Sequence, residues 1–274
     1  MKRLLILIVL IAFHLQLRAQ GWLTDLKMAQ GIAKDSDKLI LVDFWATWCG
    51  PCKQMDAQVW NTEEAATIKQ NFVPVKIDID YERALAMQYG VRSIPMLILM
   101  DYKGENIYSY TGYKGKDDLM NFISAIPVNS SDLFAGLAKI ESKKDENYQN
   151  SKELGIAYQM LSQAVDYSPL QRSLLTKSEQ WFRKSAKLSG NDLETNETEL
   201  FLSLNAIYRN SYKKALAGIE TNKTKYIDTP NESLMYYVLA QGYKKSGDDK
   251  NYKEAIASLE KTDTNREYLS KLEE

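Results

Sequence analysis

The run LILVDFWA, Leu39 to Ala46, is apolar or aromatic at every position except Asp43. A near-continuous run of that length and pattern is expected for a strand buried on both faces. FVPVKIDID, Phe72 to Asp80, reads as a second strand, and Val91 to Gly112 reads as two more in an antiparallel hairpin turning at Lys103-Gly104. Helical signals alternate with these strands. Trp22, Leu26, Ala29 and Ala33 recur at helical spacing, and a helix opens near Cys52. Asn61-Thr62-Glu63-Glu64 carries cap signals for a helix to Gln70, Glu82 to Tyr89 is stopped by Gly90, and Lys116 to Ala125 closes the series. The order predicts an α/β fold with a mixed central sheet flanked by helices.

Strand signals stop there. Ile126 to Asp132 has the proline and polar residues of a linker, and residues 133–274 show long stretches of helical periodicity. FLSLNAIYRN-SYKKALAGIE places Leu202, Ala206, Ala215 and Ile219 at the spacings of a helical hairpin. Tyr236 to Lys261 repeats it with Leu239, Ala240, Tyr243, Gly247, Ala255 and Leu259, and Ser178 to Gly190 resembles a further second helix through Phe182. Phe182, Ile219 and Leu259 lie 37 and 40 residues apart, which resembles degenerate tetratricopeptide repeats; an unrelated helical bundle is the alternative. The expected layout is a leader over 1–19, an α/β domain over 20–127, a linker over 128–132 and an all-α, repeat-like domain over 133–274.

The leader is read from Lys2 and Arg3 ahead of the apolar run Leu4 to Phe13 and a polar stretch ending at Ala19. This is the pattern of a secretory signal peptide, and ten apolar residues fall well short of the roughly 20 that span a bilayer. Its removal leaves 32 basic against 36 acidic side chains, so the mature chain has no electrostatic reason to bind nucleic acid. Removal also takes His14, the only histidine, and with it any Ser/His or Cys/His nucleophilic system. The expected location is periplasmic or otherwise extracytoplasmic in a bacterium.

Only two cysteines are present, Cys49 and Cys52, in FWATWCGPCK. A closed zinc site needs four ligands, and the chain offers no further cysteine or mature histidine, so no metal is expected. A bridge closing so short a loop constrains the unfolded chain little, which weakens a purely structural role. The pair follows a buried strand and opens a helix, where unpaired N–H groups favour a thiolate. Pro51 suits the first helical turn because its missing N–H is not needed there. The expected roles are Cys49 as the exposed nucleophile that attacks a substrate disulfide and Cys52 as the residue that resolves the mixed disulfide.

VDFWATWCGPCK resembles the active-site segment of the thioredoxin family, and the resemblance extends over residues 21–126. Asp43 matches the family's buried aspartate, Lys76 the lysine near it, Ile94-Pro95 the cis-proline segment and Gly112 the glycine of the last strand. The segment Val59-Trp60-Asn61-Thr62 and the Gly-Tyr ending of the last strand look most like exported thioredoxin-like domains of thiol:disulfide interchange proteins. The resemblance implies that Asp43 accepts the Cys52 proton, with a carboxylate merely satisfied by hydrogen bonds as the rival. It also implies that Ile94 and Pro95, with Trp48, Gly50 and Pro51, border the substrate. Trp45 is as consistent with core as with site.

The Gly-Pro dipeptide resembles reducing members, whose potential lies near about −270 mV, against about −120 mV for strongly oxidising relatives. A protein-disulfide reductase is therefore expected, acting on disulfide-containing proteins without a cofactor of its own. It would draw electrons from an external donor such as a membrane thiol carrier. Two alternatives stay open: a disulfide oxidase or isomerase, and a binding protein or holdase whose helical domain, with its own protein ligand, is the working part.

Overall fold

The computed structural model describes residues 21–273; the proposed signal peptide lies outside the described residues. The described residues divide into two compact units, the first comprising 21–134 together with 163–173, the second 135–162 together with 174–273.

In the first unit, α1 (Leu26–Ser36), β1 (Ile40–Trp45), α2 (Gly50–Met55), α3 (Glu63–Ile68), β2 (Val73–Asp78), α4 (Arg83–Gln88), β3 (Met96–Met100), β4 (Asn106–Thr111) and α5 (Lys116–Ser124) follow in turn. The sheet order is β2-β1-β3-β4, with β1 parallel to β2 and antiparallel to β3, and β3 antiparallel to β4. This is the mixed, helix-flanked sheet that the pattern predicts. Strand alternation sorts the side chains by face. Ile40, Val42 and Phe44 share one buried cluster with Val73, Val75 and Ile77 and with Ala29 and Ala33 of α1. Asp43 therefore points to the other face, and the register sets it beside Lys76 of β2.

The end of this unit differs from the expected layout. The stretch read as a linker, 128–132, already contains the start of α6 (Ser131–Ala138), and the Ser130 N–H donates to the Asp37 carbonyl at 2.8 Å. Phe134 packs edge-on against Tyr102. The segment 163–173 also belongs here. Tyr167 lies against Tyr108 and Phe122, and Ser173 Oγ donates to the Ile107 carbonyl of β4.

The second unit is helical: most of α7 (Tyr148–Gln163) and α8 (Ser168–Leu188), then α9 (Asp192–Tyr208), α10 (Tyr212–Thr221), α11 (Glu232–Ser246), α12 (Asp249–Thr262) and α13 (Glu267–Glu273). The hairpins expected over α9–α10 and α11–α12 are present, and α10 packs on α11. Ser178 to Gly190, by contrast, is not a separate helix; Ser178 to Leu188 is the C-terminal part of α8, which begins at Ser168. Among the described residues, no helix is long and apolar enough to cross a membrane.

Two features lock the helices of this unit. Gln159 Nε2 donates to Asn205 Oδ1 at 2.8 Å, Asn205 Nδ2 to Ser178 Oγ at 3.0 Å, and Ser178 Oγ to the Gly155 carbonyl at 2.8 Å. This buried network ties α7, α8 and α9 together with its polar groups paired, which favours one packing over others. Gly155 also lets α7 approach α8 closely, since a Cβ there would stand 2.7 Å from the ring of the fully buried Phe182. Gly155→Val is expected to destabilise the second unit by about 2 kcal/mol through overpacking. A urea midpoint unchanged from wild type would show that α7 and α8 can part without cost.

Candidate functional site

β1 delivers the chain to the site. After Trp45 a turn closes with the Cys49 N–H donating to the Ala46 carbonyl at 3.1 Å, and Cys49 becomes the N-cap of α2. Its Sγ accepts from the Cys52 N–H at 3.1 Å, so the sulfur itself fills the capping role that an oxygen usually takes. Pro51 sits in the first turn. The two sulfurs are joined in a disulfide of 2.04 Å. Cys49, expected to be exposed, is only 3% so in this oxidised form, and Cys52 1%. Trp45, Ile79 and Ile94 pack against the pair and Ala46, which covers both sulfurs.

Asp43 lies on β1, six residues before Cys49. It is fully buried, and neither carboxylate oxygen has a hydrogen-bond partner of ordinary geometry. Burial pushes its pKa up to about 7, outweighing the pull of Lys76, whose Nζ lies 3.7 Å from Oδ2; the charge of Asp56 pushes in the same upward direction. The Trp60 indole lowers it a little, although its Nε1–H makes no hydrogen bond of ordinary geometry.

Asp56 is the residue that the sequence did not single out. It stands one turn beyond Cys52, where α2 widens into a π-helical turn, Asp56–Trp60, and its Oδ1 takes the direct hydrogen bond from Lys76 Nζ. Lys76 also lies over the rings of Trp22 and Trp45, 5.3 Å from each centroid. One cation thus serves two carboxylates, and the more exposed one holds it. Asp56→Asn removes a neighbouring negative charge and leaves Lys76 to Asp43, so the Asp43 pKa is expected to fall. The ¹³Cγ titration of Asp43 in the oxidised protein reads this directly, and an unmoved midpoint would remove Asp56 from the site.

The rim is built from separate elements. Ile94-Pro95 is a cis peptide bond at the start of β3, and the Pro95 carbonyl accepts from the Gly112 N–H at 2.8 Å. Gly112 has φ of 77°, a left-handed conformation that glycine adopts freely. Gly50 and Pro51 are exposed, Pro95 is buried, and Trp48 is 63% exposed. Trp48 Nε1 donates to Asp80 Oδ2 at 2.8 Å, a partner that the sequence alone did not suggest. The geometry thus brings Cys49, Cys52, Ile94 and Trp45 together, with Asp43 and Lys76 paired on neighbouring strands.

Residues 22–125 match the family model described as Thioredoxin. Thioredoxin of Bacillus subtilis is 36% identical over 92 residues, which are 34% of this chain and 86% of that protein. The bifunctional thioredoxin reductase/thioredoxin of Mycobacterium leprae is 40% identical over 34% of this chain and 20% of its own length. Protein disulfide-isomerase TMX3 of Mus musculus is 32% identical over 46% of this chain and 30% of its own length. The chain therefore spans less than a third of the length of the last two.

Proposed function

The chain belongs to the thioredoxin family through residues 22–125, and from that premise we propose that it is a thiol–disulfide oxidoreductase working in the reducing direction on protein disulfides. The observation that carries this reading is a cysteine pair on a helix N-terminus with a fully buried carboxylate of raised pKa on the adjoining strand.

In the dithiol form the Cys49 thiolate attacks one sulfur of the substrate disulfide. A mixed disulfide forms and the other substrate sulfur leaves as a thiolate. Asp43, ionised for about half of the time near pH 7, takes the Cys52 proton. The Cys52 thiolate then attacks Cys49 Sγ, which closes the Cys49–Cys52 disulfide and releases the second substrate thiol. Two electrons pass to the substrate, and an external dithiol donor must return them. Trp48, Gly50, Pro51, Ile94 and Pro95 are the proposed docking rim, with the Ile94 backbone pairing with an extended substrate segment.

The N-terminal charged and apolar pattern supports export, and the donor would then be a thiol carrier in the membrane. Successive packed helices in the second unit, close at Gly155 and at Gly242, support a tetratricopeptide-like unit that binds protein substrates. Direction is tested by equilibrating the pair with glutathione. A potential below about −230 mV is expected, and one well above about −200 mV would make the protein an oxidase or isomerase.

A further inference from the structure

Two arginines, a lysine and one glutamate converge on a cleft of 430 Å³ in the helical unit, lined by α8, α9 and α10. Glu179 holds both guanidinium groups. Its Oε1 accepts from Arg183 Nε at 3.0 Å and Nη2 at 2.6 Å, and its Oε2 from Arg209 Nη1 at 2.8 Å. Arg209 Nη2 donates to Thr176 Oγ1 at 3.0 Å. Each guanidinium carries five N–H donors, so both keep donors to spare after these bonds. Lys214 is exposed and has no hydrogen-bond or ion-pair partner among the described residues. Burial acts to raise the Glu179 pKa, but the bonds from Arg183 and the charge of Arg209 outweigh it and keep the carboxylate ionised. Three cations against one anion leave the cleft with two uncompensated positive charges.

The rest of the wall is apolar or small. Leu202, Ala206 and Ala215 line the cleft, and at Gly218 an added Cβ would meet nothing within 4 Å. Asn205, at the back, is committed to the buried bonds with Gln159 and Ser178, which hold α9 against α7 and α8. The cations are therefore presented on a fixed frame.

We propose that this cleft binds the carboxylates of an acidic peptide, with Arg183, Arg209 and Lys214 as the anion contacts and Leu202 and Ala206 as the apolar floor. Guanidinium forks fit planar carboxylates in two-point bonds. Glu179 sits among the cations and would repel a polyphosphate, whereas one or two carboxylates match the charge that remains. The assignment deepens the reading of the helical unit as the part that selects protein substrates, and it does not depend on the direction of the thiol chemistry.

The test uses the oxidised full chain and a fluorescein-labelled, cysteine-free peptide of about ten residues, alternating glutamate and leucine, followed by anisotropy. No thiol exchange can occur with such a probe, so failure here is separate from failure of the redox assignment. The Glu/Leu peptide is expected to bind and its Lys/Leu counterpart not to. Lys214→Glu should weaken binding at least about tenfold by reversing one contact charge. Gly218→Glu should do the same by adding a carboxylate to the open wall, at a helical position where glutamate is favoured over glycine. Reduction of a small aromatic disulfide should be unchanged in both variants. If Lys214→Glu does not fold, Gly218→Glu decides. Equal affinity for the two peptides, binding untouched by both variants, or variant-sensitive binding of oligo-dT in place of the peptide would overturn the proposal.

Discussion

Cys49→Ser is expected to lose disulfide reduction altogether, with insulin turning over no faster than with the chemical reductant alone. The reason lies in which atom is ionised. A cysteine at a helix N-terminus reaches the thiolate form near neutral pH, while a serine hydroxyl in the same place stays protonated and forms no exchangeable bond to sulfur. Loss of a covalent nucleophile is felt on the scale of about 10³-fold or more. Cys52→Ser should behave differently. It keeps the attacking sulfur, whose cap partner, the Cys52 backbone N–H, is unaffected by the side-chain change. The mixed disulfide should therefore accumulate and appear as an added mass on Cys49. Wild-type turnover in Cys49→Ser would sink the enzymatic reading and leave the helical unit as the working part.

Asp43→Asn is expected to stabilise the oxidised first unit at high pH and to slow resolution at the same time. The unfolded carboxyl ionises near 3.8 and the folded one near about 7. Between those values the folded state holds a proton that the unfolded state has released, so each rise in pH favours unfolding. Below the lower value both states are protonated and the cost vanishes; above the upper one both are ionised and it is constant. At about 1.4 kcal/mol per pH decade the full cost reaches about 4 kcal/mol. Asparagine is neutral throughout, so the stability difference between variant and wild type should grow by about that amount from pH 4 to pH 9. Tryptophan fluorescence reports the transition, since Trp22, Trp45, Trp48 and Trp60 all lie in the first unit. The same substitution removes the acceptor of the Cys52 proton, so release from the mixed disulfide should slow while the first attack by Cys49 does not. A flat pH dependence of the stability difference would mean that Asp43 is not buried in ionised form.

The strands and the cysteine turn were legible because their signals are local: an apolar run of strand length, a Pro inside a first helical turn, and a pair of sulfurs three residues apart. The Asp43–Lys76 pairing was also within reach, because parallel register places them side by side. Asp56 was not. Its hold on Lys76 arises where α2 widens, and a π-helical turn has no composition that sets it apart from an α-helix. Trp48 and Asp80 are 32 residues apart in sequence, and only the folded loops bring them together. Ile126 to Asp132 has loop composition, yet Ser131 begins α6, because serine and aspartate are as common at a helix start as in a linker. The start of α8 did leave a mark in Ser168-Pro169, a proline in a first helical turn, whereas the repeat spacing through Phe182 marks only the C-terminal part of that helix.

The return of residues 163–173 to the first unit sets an order on synthesis. A ribosome that has made residue 134 has not finished that unit, because Tyr167 and Ser173 have yet to be added against Tyr108, Phe122 and the Ile107 carbonyl. At about 5 to 20 residues per second, the wait is on the order of several seconds. During it the aromatic face of β4 and α5 lacks its cover, while α6 and α7, most of them parts of the other unit, emerge. A gene cut after residue 134 would make that interval permanent, and the redox domain is best expressed with its chain running at least through Ser173.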